Sequence, residues 1–416
     1  MGAFFAILRL CRCQDHRRYG AGGRRYGGSD VNGHNSQPRS ELSGARWVEP
    51  AYSRDPTAPD VRLFLPIQSG AWTPTTAARG TDWSFDYNAK LMVRADELGF
   101  DLAFGLAQWR GVDGYGGKTQ YRKYSLDPLL STCAAAALTQ NIILISTVHV
   151  LYGWHPLHLA KFGATADHIS RGRWGLNLVT GYQPQERAMF GLDHLEHDQR
   201  YGMAAEFTDM MDALWREEAN VDWDGAYWSM QQAYVSPKPI YGRPIMVNAA
   251  SSDAGLRYAA KYSDLIFITS PGGADFQAGL AALPAHNHKI KALASAEHRE
   301  VRTVINPHVI CRDTEREVKQ IIDAIYAGED AVAVDTFLGA RAQGDQTSWS
   351  GHKRHERVLG GNIHVMGTPE QVVEQFVQLK TSGCDGIQIN FFDYEPDLAY
   401  FAARVLPLMK QAGLRI

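Results

Sequence analysis

The stretch GRWGLNLVTGYQPQER, Gly172 to Arg187, ends a short apolar run in a set of polar groups. Asn177, Thr180, Gly181, Tyr182 and Glu186 follow one another within a few positions. Amide and hydroxyl groups of this kind can donate hydrogen bonds to charge developing on an oxygen atom. A second candidate is AASSDAG, Ala249 to Gly255, which puts two hydroxyls and free backbone N–H groups at the start of a helix. The helix dipole and the unpaired donors both favour an anion, so a phosphate would suit this place. The plainer role for Ser251 or Ser252 is an N-cap, and the residues alone leave both readings open.

Further polar groups stand where other apolar runs stop: Ala107, Gln108 and Trp109; Thr147 and His149; Asn248; the TSPGGADF segment; and Asn390 with Asp393. Together they would make a lining of amides, hydroxyls and aromatics with few carboxylates or lysines. That suits holding a flat redox-active ring better than hydrolysis by paired carboxylates. The patterns GxxxxGK[ST], HExxH, GxSxG and the EF-hand loop are absent. His155 and His158 are three apart, as are His352 and His355, without a carboxylate at defined spacing. No metal site is expected from them.

The elements that must position these groups alternate regularly from Val61 onward. Apolar runs at 61–66, 101–106, 142–148, 173–179, 243–249, 264–269, 301–310 and 385–391 read as strands, each followed by a helical pattern. Pro156 opens one helix, Asp313 is a plausible N-cap, and Thr368, Pro369 and Gln371 fit a capping box. Pro407 should kink the last helix. Eight strand–helix units predict an α/β fold, a TIM (β/α)8 barrel, and place the active site at the C-terminal ends of the strands. A doubly wound sheet is the alternative, but no GxGxxG follows the first strand. A barrel core takes about 250 residues, so insertions are expected near 218–243 and 328–367, the second as a candidate lid.

The 416 residues, 45% hydrophobic and 21% charged, fit a soluble globular protein with ample core. A formal net charge of −3 gives no general attraction to nucleic acid or to an anionic membrane surface. No run approaches the roughly 18–20 apolar residues that span a bilayer. The five cysteines are scattered and lack CxxC spacing, which suits reduced structural thiols. Residues 1–59 are rich in Arg and Gly and read as a disordered tail ahead of a fold that begins near Asp60. An organelle transit peptide is the alternative for that tail.

From about Val61 to its end the chain resembles the bacterial luciferase-like superfamily of flavin-dependent monooxygenases. Within it, the likeness is to the two-component enzymes that act on pyrimidines, dimethylsulfone and alkanesulfonates with reduced FMN. The matching pieces are RADELGFDLAFGLAQWRG, GGKT, ATADHISRGRWGLNLVTGYQPQE, LEHDQRY, AASSDAG and VLPLM. The resemblance places Ala107 and Gln108 beside the flavin ring and Asn177 near the flavin and the oxygen site. It assigns Glu186, Arg200 and Tyr201 to the ribityl chain or phosphate, and Ser252 to the phosphate. Trp109, Tyr182 and His149 are candidates for the substrate side. Gln108 stands where pyrimidine monooxygenases usually have Lys, Tyr182 where they have Trp, and QPQER departs from their QKPEY. These differences leave the substrate open.

The resemblance further implies FMNH2 and O2 as cosubstrates and a separate NAD(P)H:flavin reductase that supplies the reduced flavin. A flavin peroxide would attack a small electrophilic heteroatom compound, with C–N or C–S cleavage as one outcome. Asn177 and a nearby hydroxyl, Thr147 or Thr180, would donate hydrogen bonds to it. A cytoplasmic homo-oligomer is expected. A deazaflavin-dependent oxidoreductase of the same superfamily and a non-catalytic flavin-binding protein are the competing readings.

Overall fold

A computed structural model describes residues 60–181, 183–193, 195–342 and 353–415. The expected N-terminal tail and Tyr182 lie outside the described residues, as does the 343–352 part of the expected lid.

Long buried apolar runs become parallel strands when helices cover both faces of the sheet. Eight such strands form here: β1 Asp60–Phe64, β2 Leu102–Gly105, β3 Ile143–His149, β4 Trp174–Val179, β5 Ile245–Ala249, β6 Leu265–Ile268, β7 Arg302–Ile305 and β8 Gly386–Phe391. Each pairs in parallel with the next, and β8 pairs with β1. The closed sheet with its surrounding helices is the TIM barrel that the alternation predicts.

Helix ends follow local chemistry. The Pro156–Ser170 helix has Pro at its first turn and His155 as N-cap, whose Nδ1 accepts from Leu157 N at 3.2 Å. His155 is therefore a structural cap. The Thr368 capping box forms as expected over Pro369–Thr381. The Glu315–Ala327 helix is capped by Thr314, not Asp313, because Thr314 and Glu317 complete a reciprocal box. Near Pro407, which has no N–H to donate, the last helix widens into a π turn over Phe401–Val405 instead of simply kinking.

Two features depart from the simple count. The apolar run 301–310 is not one strand: it breaks at Asn306 before Pro307 and resumes as Pro307–Cys311. That second piece pairs with Ile363–Gly367, a strand inside the 328–367 segment expected as an insertion. Five residues of alternating burial are too short a signal to stand out from its surroundings. The same segment carries a helix, Ala331–Ala342. Residues 221–233 hold an antiparallel hairpin outside the barrel, and Glu206 accepts from Ala226 N, Tyr227 N and Trp228 N at its tip.

Candidate active site

At the C-terminal ends of the strands lies a cavity of about 220 Å³. Its aromatic surface comes from Trp72, Phe64, Phe104 and Phe267, whose rings contact in that order at centroid distances of 3.8, 4.9 and 4.6 Å, with Leu106 and Val179 beside them. Amides, hydroxyls, arginines and the rings of His149 and His197 supply its polar lining, and among the described residues no carboxylate or lysine takes part.

Thr147 and Asn177 are direct register partners on β3 and β4, so both side chains reach the same level of the cavity. Thr147 Oγ1 donates to Gly105 O at 2.7 Å and accepts from Asn177 Nδ2 at 3.0 Å. With its proton on Gly105, Thr147 can only accept from Asn177, which fixes the amide orientation. Asn177 Oδ1 is left buried without a hydrogen-bond partner. Thr180 has a slack hydrogen bond to Gly181 O at 3.4 Å.

Beyond β4 the chain turns at Gly181 with φ +73°, and a Cβ there would sit 2.3 Å from the Tyr152 ring. Only glycine meets both demands. Arg200 Nη1 donates to Gly181 O at 2.7 Å. Tyr201 extends over the start of the Asp253–Tyr262 helix, where a Cβ on Gly255 would lie 2.5 Å from its hydroxyl. Ser252 is the N-cap of that helix, accepting from Gly255 N at 3.2 Å, while its neighbour Ser251 lines the cavity.

Glu186 is buried. Its oxygens accept from Tyr152 Oη at 3.0 Å and Trp109 N at 3.4 Å. Burial raises its pKa to about 7, against the opposing effect of those two donors. His149 lines the cavity, and burial lowers its pKa to about 4, so the ring is neutral near pH 7.

Thr147, His149, Asn177, Thr180, Arg200 and Tyr201 thus share one cavity. Ala107, Gln108 and Trp109 instead line an adjoining groove that meets it at Arg122. Among the described residues, no group of three or more His, Cys, Asp or Glu side chains is placed to hold a metal ion. No helix of the described residues is long and apolar enough to cross a membrane.

The luciferase-like monooxygenase family pattern matches residues 60–386, the whole barrel up to its last strand. The chain belongs to that family. It is 31% identical over 358 residues to the FMNH(2)-dependent dimethylsulfone monooxygenase of Pseudomonas fluorescens (strain Pf0-1), an alignment covering 84% of this chain and 93% of the relative. To the pyrimidine monooxygenase RutA of Allorhizobium ampelinum it is 28% identical, covering 84% and 96%. The crystal structure of riboflavin lyase (RcaE) with modified FMN and riboflavin shares the fold, with a TM-score of 0.73 at 21% identity over 86% of this chain and 93% of the other.

Several cavity residues of this family member escape a reading of strand exits. Gln388 is fully buried in β8 with neither amide atom partnered. Its only trace in the sequence is an amide inside the apolar run GIQINF, two residues before Asn390. Asn390 itself is committed to His308 Nδ1 at 2.5 Å and Pro307 O at 3.0 Å. Trp72, Arg122, Arg341 and Arg357 also line the cavity, from loops and helices outside the barrel strands.

Proposed function

We propose that this chain is the oxygenase of a two-component system, using FMNH2 and O2 to insert one oxygen atom into a small organic substrate, with FMN and water as the other products. A separate NAD(P)H:flavin reductase would supply the FMNH2, in the cytoplasm, and the oxygenase would act as a homo-oligomer. The observation that carries the reading is the fixed Asn177–Thr147 pair at the inner end of a cavity whose β4–β5 side is suited to a phosphate.

The residues present fit FMN. Arg200, Tyr201, Ser251 and Ser252 stand with the first N–H groups of the Asp253–Tyr262 helix, a donor set for a phosphate. The unpartnered Oδ1 of Asn177 and the unpartnered amide of Gln388 offer donors and acceptors to a heterocycle, and the aromatic surface suits its flat faces. When bound, reduced FMN supplies the electrons that activate O2. The chain's own residues orient and shield. Asn177 keeps its second N–H and its Oδ1 for the cavity, and Thr180 has a hydroxyl proton less committed than that of Thr147. Those two are the donors for charge developing on oxygen, and Thr147 is the residue that positions Asn177. Phe64, Trp72, Phe104 and Phe267 keep water from the reacting atoms. Glu186 supports the wall through Tyr152 and Trp109; a direct flavin contact for it rests on the resemblance.

Titration of the protein with FMN and with FMNH2, followed by oxygen uptake with a flavin reductase and NADH, tests this reading. Binding of reduced flavin and substrate-dependent oxygen uptake are expected. Preference for a reduced deazaflavin over FMNH2, or flavin binding without turnover of any substrate, would overturn it.

A further inference from the structure

The register of three adjacent parallel strands brings three amide side chains into one row. Ile387 of β8 pairs with Ile305 of β7, so Gln388 and Asn306 are the next residues along their strands. Pro307 pairs with Ile363, so Asn306 and Asn362 stand together one step before that pair. Neighbouring strands lie about 4.8 Å apart, and all three residues line the cavity.

This row does not satisfy itself. Gln388 is fully buried, and its Oε1 and Nε2 both lack a hydrogen-bond partner among the described residues. The same holds for Asn306 Oδ1 and Asn362 Nδ2. On the other flank of Gln388 its register partner is Arg62 of β1, which is bonded to Asp60. The row two residues further along is different. There Asn390 Oδ1 accepts from His308 Nδ1 at 2.5 Å, and Asn390 Nδ2 donates to Pro307 O at 3.0 Å. On the same strands, one amide is used by the fold and three keep atoms for the cavity. A buried amide without partners is costly, and a ligand that supplies them recovers that cost.

The open atoms are of two kinds in equal number. Gln388 Oε1 and Asn306 Oδ1 need donors, while Gln388 Nε2 and Asn362 Nδ2 need acceptors. A primary carboxamide has two N–H donors on one nitrogen and two lone pairs on one oxygen. It can meet all four atoms with a head small enough to sit against three neighbouring side chains. A carboxylate, sulfonate or sulfone has acceptors only and leaves both oxygens unpaired. A ring such as uracil spreads its donors and acceptors around its perimeter. The rings of Trp72, Phe64 and Phe104 offer the same cavity an apolar surface for the rest of the molecule.

We propose that Gln388, Asn306 and Asn362 form the substrate's polar subsite, and that the substrate is held there by a primary carboxamide. It rests on the functional reading above and names the substrate class of that site. Gln388 is the specificity-determining residue, because it supplies one open oxygen and one open nitrogen.

Calorimetry on the FMN-loaded protein tests this with matched ligands: benzamide against benzoate, N,N-dimethylbenzamide, methyl phenyl sulfone and uracil, and hexanamide against hexanoate and N,N-dimethylhexanamide. At least one primary amide is expected to bind about tenfold or more tightly than each of its comparators. In Gln388→Leu, a side chain of similar size without polar atoms, that preference should shrink by about the same factor. FMN affinity, read from flavin fluorescence, should change far less. No primary amide bound at millimolar concentration, a comparator bound as tightly as its amide, or a preference that survives Gln388→Leu would overturn the subsite. A loss of FMN affinity as large as the loss of amide binding would also overturn it, by giving Gln388 to the flavin ring. The wild-type ratios decide the matter even if the variant fails to fold. Failure of the wild type to bind FMN or FMNH2 is read separately and overturns both this proposal and the functional reading beneath it.

Discussion

On the β4–β5 side of the cavity, Arg200 is tied to Gly181 O and stands with hydroxyls, the Asn248 amide, the His197 ring and the N–H groups of one helix start. On the β1–β2 side, Arg122 and Arg357 are stacked on Trp72 and Phe337, and among the described residues their hydrogen bonds go to uncharged acceptors. The first wall offers several uncharged donors beside Arg200, an arrangement that suits the phosphate of the proposed flavin. The second sets two buried guanidiniums against aromatic rings. If the flavin phosphate lies at the first wall as proposed, changes there should weaken flavin binding more than changes in the second.

Asn177 belongs to neither wall and should give the largest effect. Replacing it with Ala removes a preorganised donor, for an expected loss of about 2–4 kcal/mol of transition-state stabilisation, or roughly 30- to 1,000-fold in kcat. Single-turnover rates with pre-bound FMNH2 would show it, and near-normal turnover would remove Asn177 from the mechanism.

Glu186, bonded to Tyr152 and Trp109, gives the next largest. Its folded pKa of about 7 lies above the ordinary 4.5, so the folded state holds the proton longer than the unfolded chain. Stability from this group is whole below about pH 4.5 and is lost as the pH rises through 7, by about 3 kcal/mol in all. Urea unfolding of the flavin-free protein between pH 5 and 8 should show that decline, and Glu186→Gln should lack it. Parallel slopes in both proteins would mean that water reaches the carboxylate and ionises it at little cost.

The two walls also differ in how far they can be read from the chain. The barrel strands are runs of buried apolar residues, and their exits name Thr147, His149, Asn177 and Thr180 directly. Arg200 and Tyr201 stand one turn inside a helix that follows the same strand. The second wall has no such local pattern, since Arg357 reaches Tyr121 across 236 residues. Nothing in WRGVDGYGGKTQYRK sets Arg122 apart from the solvated Lys123 beside it until tertiary packing buries one and not the other. Gln108 shows the converse: its place after β2 suggests the cavity, yet its amide is engaged by Arg122 in the adjoining groove.

Asp330 ties the second wall together. Its carboxylate accepts from Thr119 N at 2.7 Å and Thr119 Oγ1 at 2.8 Å, joining the loop after β2 to the Ala331–Ala342 helix. Gly117, at φ +74°, makes room for it, because a Cβ there would fall 2.1 Å from Asp330 Oδ1. Asp330→Asn should cost about 1–3 kcal/mol in stability by weakening these bonds. Steady-state KM should rise while FMN affinity stays unchanged. A matching loss of FMN affinity would show that the two walls are not independent.

Ser252 gives the smallest effect and the sharpest test of the first wall, because its hydroxyl already has a structural task as the N-cap accepting from Gly255 N. Ser252→Ala removes the cap and should cost about 1 kcal/mol in stability whatever else the residue does. Ser252→Gly separates the two roles, since glycine caps nearly as well and loses only a few tenths of a kcal/mol. If the hydroxyl proton also reaches the phosphate, FMN binding should weaken in both variants by about 1 kcal/mol, close to the worth of one hydrogen bond. Flavin-fluorescence titration beside urea unfolding reads both quantities on the same samples. Unchanged FMN affinity in Ser252→Gly would leave Ser252 as a cap alone and pass the phosphate contact to Ser251, the serine that lines the cavity.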